Sequence, residues 1–153
     1  PTPYLMSFPS ALLLIRVQTC RRWEMMAITM DPDALVIKHG LIVLTHEGGE
    51  KGRRWPGGLI TLRSDLGPVA RRVTLAHEIA HHLAGDEPTV DAVLDARQER
   101  RAWEQTARWL ICPVEYKLAE RLHGPHEGAL AHELGVTTHL IRVWRGLHER
   151  IHA

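Results

Sequence analysis

The spacing of hydrophobic residues changes along the chain, and this change predicts a domain that contains both strands and helices. Apolar residues run together in two short segments, Leu41–Thr45 and Gly58–Arg63, which are separated by a Gly48-Gly49 turn and a Gly52–Gly57 loop. Such segments are typical of strands, and after Gly67 the apolar spacing becomes three or four residues, which is typical of helices. We therefore expect an α+β fold in which a small antiparallel sheet precedes the helices.

Residues that favour helix ends indicate where these helices begin and end. Asp31–Asp33 is expected to cap a short first helix that Gly40 ends. Gly67-Pro68 begins the next helix and Gly85 ends it, which gives about four turns. A third helix is expected from about Asp91 to Ile111, because Pro113 disfavours helical backbone at the residue before it.

Composition and charge narrow the class of protein. A chain of 153 residues suits one domain with a real core, and a net charge of +1 predicts no general affinity for polyanions. Cys20 and Cys112 are too few for a disulfide framework and lack zinc-finger spacing, so a reducing cytoplasm is the default location. The longest apolar run, Ala11–Ile15, is too short to cross a membrane and has no basic flank before it. We therefore expect a soluble cytoplasmic protein without a membrane partner.

The second predicted helix carries a His-Glu-x-x-His motif at His77–His81. Residues four apart share one helix face, so His77 and His81 can present two imidazole nitrogens to one zinc ion. Glu78 then lies beside the metal, where a carboxylate suits a general base that takes a proton from an activated water. Apolar residues wrap much of this helix, and metal ligation removes the cost of burying His and Glu side chains there. The motif therefore predicts a zinc site that hydrolyses peptide bonds.

Two histidines do not complete a zinc site, so a third ligand has to come from another position. The metzincin pattern requires Gly at position 84 and His at position 87, where this chain has Ala84 and Glu87. That class is therefore excluded, and a carboxylate on the third predicted helix is the alternative. The carboxylates of that helix are Asp91, Asp95, Glu99 and Glu104.

Helical periodicity ranks these carboxylates. Glu99 begins a stripe at helical spacing that continues through Ala102, Trp103, Thr106 and Leu110. This stripe should face the core, so Glu99 is expected to be buried and is ranked first. Glu104 is ranked second, because it lies about 140 degrees around the helix on a face with several arginines, where ion pairing in solvent explains it. Asp95, one turn before Glu99, is expected either to orient a ligand histidine or to be a minor ligand.

The same residues carry a resemblance to a known family. Arg71–His81, Glu99-x-x-Ala102 and Leu110–Pro113 resemble the ImmA/IrrE family of zinc metallopeptidases, especially its short actinobacterial and phage members, over roughly residues 40–146. In that family the glutamate before x-x-Ala is the third zinc ligand, which implies this role for Glu99. The family usually has Asp or Asn after that alanine and an aromatic residue two positions later, where this chain has Trp103 and Gln105.

The C-terminal third does not repeat the zinc motif. A helix is expected from Val114 to about Leu122, broken by Gly124-Pro125. The later His132-Glu133 has Val136 four residues after the histidine, so no second imidazole reaches that face.

What this region resembles is a helix-turn-helix, with Ala131 in its first helix, Gly135 in the turn and a second helix from about Thr137 to Leu147. Buried positions would be Val136, Ile141 and Trp144, and outward positions Arg142 and Arg145. A recognition helix would use its outward residues on DNA. Few cations lie on it and the net charge is near zero, so we expect a helical hairpin packed on the catalytic core and no DNA binding.

The sequence as a whole predicts a single zincin-like α+β domain in three parts. Residues 1–30 form an N-terminal extension without an assigned function, residues 31–123 the zinc metallopeptidase core, and residues 124–153 a helical segment packed on that core. The expected activity is that of a zinc-dependent endopeptidase, with Zn²⁺ held by His77, His81 and Glu99 and with Glu78 as the base.

The expected partner is a protein substrate, and the family resemblance implies a helix-turn-helix repressor of phage, mobile-element or stress-response genes. The alternative is a non-catalytic zinc-containing regulator that binds a repressor or DNA through its C-terminal helices. Glu78 argues against that alternative, because a purely structural zinc site has no use for a base. No oxyanion-stabilising residue can be named from the sequence; Tyr116 and the later histidines are the candidates.

Overall fold

The structure, a computed structural model, describes residues 29–152 and the side chains of residues 29–149. The predicted extension of residues 1–30 lies outside the described residues, apart from Thr29 and Met30. Within the described part the α+β class is confirmed. The helices are α1 (Pro32–His39), α2 (Pro68–Ala84), α3 (Ala92–Leu110), α4 (Pro113–His123), α5 (Glu127–Leu134) and α6 (Thr138–His152). The strands are β1 (Ile42–His46), β2 (Gly52–Trp55) and β3 (Leu59–Arg63), and a short 3₁₀ turn, Pro56–Gly58, joins β2 to β3.

The helix ends follow the local signals in the sequence. Asp31 caps α1 by accepting a hydrogen bond from the Asp33 amide, and Gly40 ends that helix in the left-handed conformation. Pro68 begins α2, and Gly85, with a φ of 67°, ends it. Asp91 caps α3 through bonds from two amides of its first turn. The predicted bounds of these helices are therefore confirmed to within a residue or two.

The sheet is mixed, and the prediction of an antiparallel sheet is wrong in its pairing. The two predicted strands, β1 and β3, lie parallel, with Ile42 opposite Leu59. Residues 52–55, predicted as a loop, form a third strand that runs antiparallel to β3. β3 therefore lies in the middle, in the order β1-β3-β2, and β2 is left as an edge strand.

Two separate hydrophobic clusters pack against α2. One cluster joins α2 to the later helices, and α2 contributes Val73 and Ala76 to it. The other joins α2 to α1 and the sheet, and α2 contributes Leu75 and Ile79 to it. Because both flanks of α2 are packed, its polar face with the motif histidines is held toward α3 and β2.

The C-terminal helices pack on the rest of the domain as a hairpin. The predicted buried positions Val136, Ile141 and Trp144 are at most 5% exposed, as expected. Arg142 points outward, but the prediction that Arg145 does so is wrong. Its guanidinium donates to the Tyr116 hydroxyl at 2.8 Å and to the Pro125 carbonyl at 2.7 Å. Within residues 29–152, no helix has the length and apolar character needed to cross a membrane.

Candidate metal centre

Three predicted ligands converge at one point between α2 and α3. The Nε2 atoms of His77 and His81 lie 3.1 Å apart. The Glu99 carboxylate, one turn before the buried part of α3, reaches His81 Nε2 at 3.0 Å and His77 Nε2 at 3.4 Å. Of the described residues, only this trio was found with potential ligand atoms all within 4.8 Å of one another. The structure thus brings the two motif histidines and the first-ranked carboxylate together.

Glu99 is less buried than the helical stripe predicts. Its side chain is 48% exposed, whereas Ala102 and Thr106 on the same stripe are at most 2% exposed. The expectation of a buried Glu99 is therefore wrong. The physical reason is that the first turns of α3, residues 92–97, extend beyond the core, so Glu99 lies where the helix leaves it. Donation of a hydrogen bond by His77 lowers the pKa of the Glu99 carboxyl and favours its charged form.

Glu104 lies apart from the trio. Its carboxylate pairs with Arg108 one turn along α3 at 3.8 Å, as expected, but the Glu104 side chain is only 19% exposed, so the expectation that it lies in solvent is wrong. It lines a different cavity, between α3 and α6. The structure therefore brings Glu99 and not Glu104 to the motif histidines.

A buried carboxylate that the sequence did not single out orients His81. Asp86 follows the residue that ends α2, is 3% exposed, and accepts a hydrogen bond from His81 Nδ1 at 2.8 Å. Since a carboxylate only accepts, His81 carries a proton on Nδ1, so Nε2 is the nitrogen that would bind a metal. Arg101 on α3 donates to the other oxygen of Asp86. Asp95, the predicted orienting residue, is exposed and lines the neighbouring cavity instead.

His77 is held by stacking. Its ring lies 4.0 Å from the Trp103 ring at an angle of 27°, and the edge of His139 packs against Trp103 at 4.5 Å. Nδ1 of His77 is buried without a hydrogen-bond partner in the described part of the chain. The tryptophan at the position where the resembled family has Asp or Asn therefore fixes the plane of a ligand ring by packing.

Burial and nearby charges shift the pKa of the Glu78 carboxyl in opposite directions. Burial raises the pKa of its carboxyl above the usual range, while the two imidazoles and the Arg54 guanidinium lower it. Burial also lowers the pKa of His81, which favours the neutral imidazole that binds metals. Arg54 on β2 donates to the His81 carbonyl at 3.4 Å. This contact holds the guanidinium near Glu78, where its positive charge lowers the pKa of the carboxyl.

The cavity beside the trio is about 420 Å³ and opens between β2 and α3. Its floor carries His77, Glu78 and His81, and one wall is the edge strand from Gly52 to Trp55. Tyr116, a candidate from the sequence, lies in the helical core with its hydroxyl bonded to Arg145, and it does not line this cavity.

The donor set fits a divalent metal ion. Two imidazole nitrogens and one carboxylate oxygen are the kind of three-ligand set that catalytic zinc sites use. The Nε2 atoms of His77 and His81 lie 3.1 Å apart. The hydrogen bond to Asp86 holds the Nδ1 proton of His81, which leaves Nε2 as its metal-binding nitrogen.

The contact between Asp86 and His81 predicts a measurable loss of metal affinity. Asp86→Ala should weaken metal binding by roughly 10- to 100-fold, because His81 loses the acceptor that fixes its tautomer and ring orientation. Competition with a chromophoric chelator measures the affinity. Arg101→Met is the control for the lost ion pair, and Asp95→Ala is the control for removing a carboxylate near the cavity. An affinity of Asp86→Ala equal to that of wild type would show that the contact has no such role.

Comparison with known families identifies the domain. Residues 38–143 match the model of the Peptidase M78 family, described as the IrrE N-terminal-like domain, and this range is well over half of the chain. A search of curated proteins finds no match. The resemblance carried by the motifs is therefore confirmed over residues 38–143. The chain belongs to the Peptidase M78 family of IrrE N-terminal-like domains, and its function is of the metallopeptidase type.

Proposed function

We propose that this protein is a zinc-dependent endopeptidase that hydrolyses a peptide bond in a protein substrate. The observation that carries the proposal is the convergence of His77, His81 and Glu99 beside Glu78 at the floor of an open cavity. A purely structural zinc site would be closed by four protein ligands and would need no carboxylate beside it. Zn²⁺ held by the trio is the proposed cofactor.

Glu78 is the proposed general base and acid. When bound, zinc supplies Lewis-acid polarisation of a carbonyl and lowers the pKa of a water. Glu78 takes one proton from the attacking water as oxygen adds to the scissile carbonyl carbon. The carboxyl then gives that proton to the amide nitrogen as the carbon–nitrogen bond breaks, so an acid and an amine leave. Burial, which raises the pKa of Glu78, makes the group better able to hold the proton between the two steps.

The edge strand β2 is the proposed site for the substrate backbone. An extended peptide can add to an exposed sheet edge through main-chain hydrogen bonds. β2 forms a wall of the cavity from Gly52 to Trp55, and one of its edges is not paired with β3. A peptide along that edge would cross the cavity above His77 and Glu78. An unfolded or loosened segment of the substrate would therefore be the part that is cut.

The proposed substrate is a helix-turn-helix repressor, and the proposed setting is the cytoplasm of a bacterium or a phage-infected host cell. This part rests on family membership. The competing function is that of a non-catalytic regulator acting through its C-terminal helices. Arg142 pairs with Glu127 at 2.7 Å and Arg145 is engaged inside the hairpin, which disfavours phosphate binding by these two residues. The absence of DNA binding stays a prediction.

One experiment tests the proposed function directly. The zinc-loaded protein is incubated with the repressor encoded beside its gene, and the products are identified by mass spectrometry. Defined fragments of the repressor are expected, and chelator treatment should stop their formation while re-added zinc restores it. Binding of the repressor by the zinc-loaded protein without any fragments would support the regulator instead.

A further inference from the structure

Gly52, the first residue of β2, lies directly against the side chain of Glu78. A Cβ atom at Gly52 would lie 2.6 Å from Glu78 Oε1 and 2.9 Å from Glu78 Cγ. It would also lie 2.7 Å from Thr74 Cγ2, one helical turn earlier on α2. All three distances are shorter than any ordinary contact of a Cβ atom, so any other residue here would force Glu78, Thr74 or the strand itself to shift.

The requirement for glycine at this position is one of space. Gly52 is not among the glycines with positive φ, unlike Gly48 and Gly49 in the preceding turn. It pairs with Leu62 in the β2-β3 ladder, and the neighbouring Lys51 carbonyl accepts a hydrogen bond from the Arg63 amide at 2.9 Å. The strand is therefore pinned to β3 and cannot back away from α2 without breaking ladder bonds.

We propose that Gly52 is a positioning residue for Glu78. The bare backbone of β2 closes one side of the space around the carboxylate and thereby limits the rotamers that Glu78 can adopt. The same contact excludes solvent from that side of the carboxyl group, while Glu78 also lines the cavity. The contact itself is independent of the proposed function, and only its effect on turnover rests on that function.

A stability cycle tests the contact without reference to activity. Gly52→Ala should lower Tm by roughly 2–10 °C, as expected for overpacking in a fixed site. In a Glu78→Ala background the same substitution should cost less, because one of the two side chains that the new Cβ meets has been removed while the contact with Thr74 remains. Gly67→Ala is the matched control, since a Cβ there meets nothing within 4 Å. Equal Tm losses in the two backgrounds would overturn the proposal.

A kinetic cycle tests the positioning role. Gly52→Ala should lower kcat by roughly 10²-fold with metal content and KM near wild type, because a displacement of about 1 Å at a reacting group has costs of this size. Glu78→Asp shortens the side chain and makes room, so adding Gly52→Ala to it should lower kcat by a much smaller factor. The same factor in both backgrounds, or a wild-type kcat in Gly52→Ala, would overturn the role. Absence of hydrolysis by wild type would refute the proposed function alone. The stability cycle would still show whether Gly52 packs against Glu78.

Discussion

Glu99→Ala should empty the metal site and abolish hydrolysis, while Glu104→Ala should leave both near wild type. Only two protein ligands, His77 and His81, would remain after the first change. The loss of affinity should exceed the roughly 10- to 100-fold that follows from losing an outer hydrogen-bond partner. Glu104 is separated from the histidines and pairs with Arg108, so its removal should not reach the site.

Zinc stoichiometry of the purified variants, measured by inductively coupled plasma mass spectrometry, checks this result. Both substitutions replace a glutamate of α3 by alanine, so any general effect of such a change on the helix is the same in the two variants. Circular dichroism of Glu99→Ala shows whether the helices persist. Full zinc occupancy in Glu99→Ala together with loss in Glu104→Ala would mean that α3 presents its other face to α2 in solution.

Glu78→Gln should behave differently, by keeping the metal and losing turnover. The amide has nearly the shape of the carboxylate, so the fit against Gly52 is preserved, but it cannot accept the proton of the attacking water. A fall in kcat of roughly 10²- to 10⁴-fold is expected, the usual scale for losing general base catalysis.

The matched control for this change is Glu133→Gln. Glu133 follows His132 just as Glu78 follows His77, but it lies on α5 and pairs with His123 at 3.5 Å. Peptide-cleavage assays on both variants, with metal content measured on the same samples, separate the outcomes. A kcat of Glu78→Gln within a factor of about three of wild type would exclude Glu78 as the base.

The helix bounds and the shared face of the two motif histidines were predictable because their signals are local. Asp31, Gly85 and Asp91 act on amides or carbonyls a few residues away, so sequence alone reveals the ends of α1, α2 and α3. The spacing of His77 and His81 likewise fixes both side chains on one face of a single helix.

The sheet was not predictable in the same way, because strand pairing joins residues that are distant in sequence. Gly52–Trp55 reads Gly-Arg-Arg-Trp, which lacks the alternating apolar pattern of a strand. It pairs because it forms the edge of the sheet, where Arg53 and Trp55 can face solvent. Once β2 takes one side of β3, only the other side is free for β1. The chain reverses between β1 and β2 and again between β2 and β3, so β1 and β3 run in the same direction.

The supporting residues of the site were hidden for another reason. Asp86 follows a helix-ending glycine, where an aspartate usually indicates a solvated loop, and only the packing of α3 on α2 buries it beside Arg101. Trp103 was counted as a core residue of the α3 stripe, but the crossing of the two helices determines that its ring stacks on His77. Both roles depend on how two helices meet, which periodicity on one helix does not specify.

A metal ion held by His77, His81 and Glu99 would make local order at the exposed start of α3 depend on the amount of free metal. Residues 92–97 are exposed, and Glu99 and Arg101 are the first residues of α3 found bonded to α2 or to the Asp86 that follows it. An ion shared by the two helices would tether this segment, with a gain of RT ln(1 + [metal]/Kd), about 2.7 kcal/mol at a hundred times Kd. Under metal starvation the segment would open more often and become accessible to other proteases, so the lifetime of the protein would follow the zinc supply of the cell.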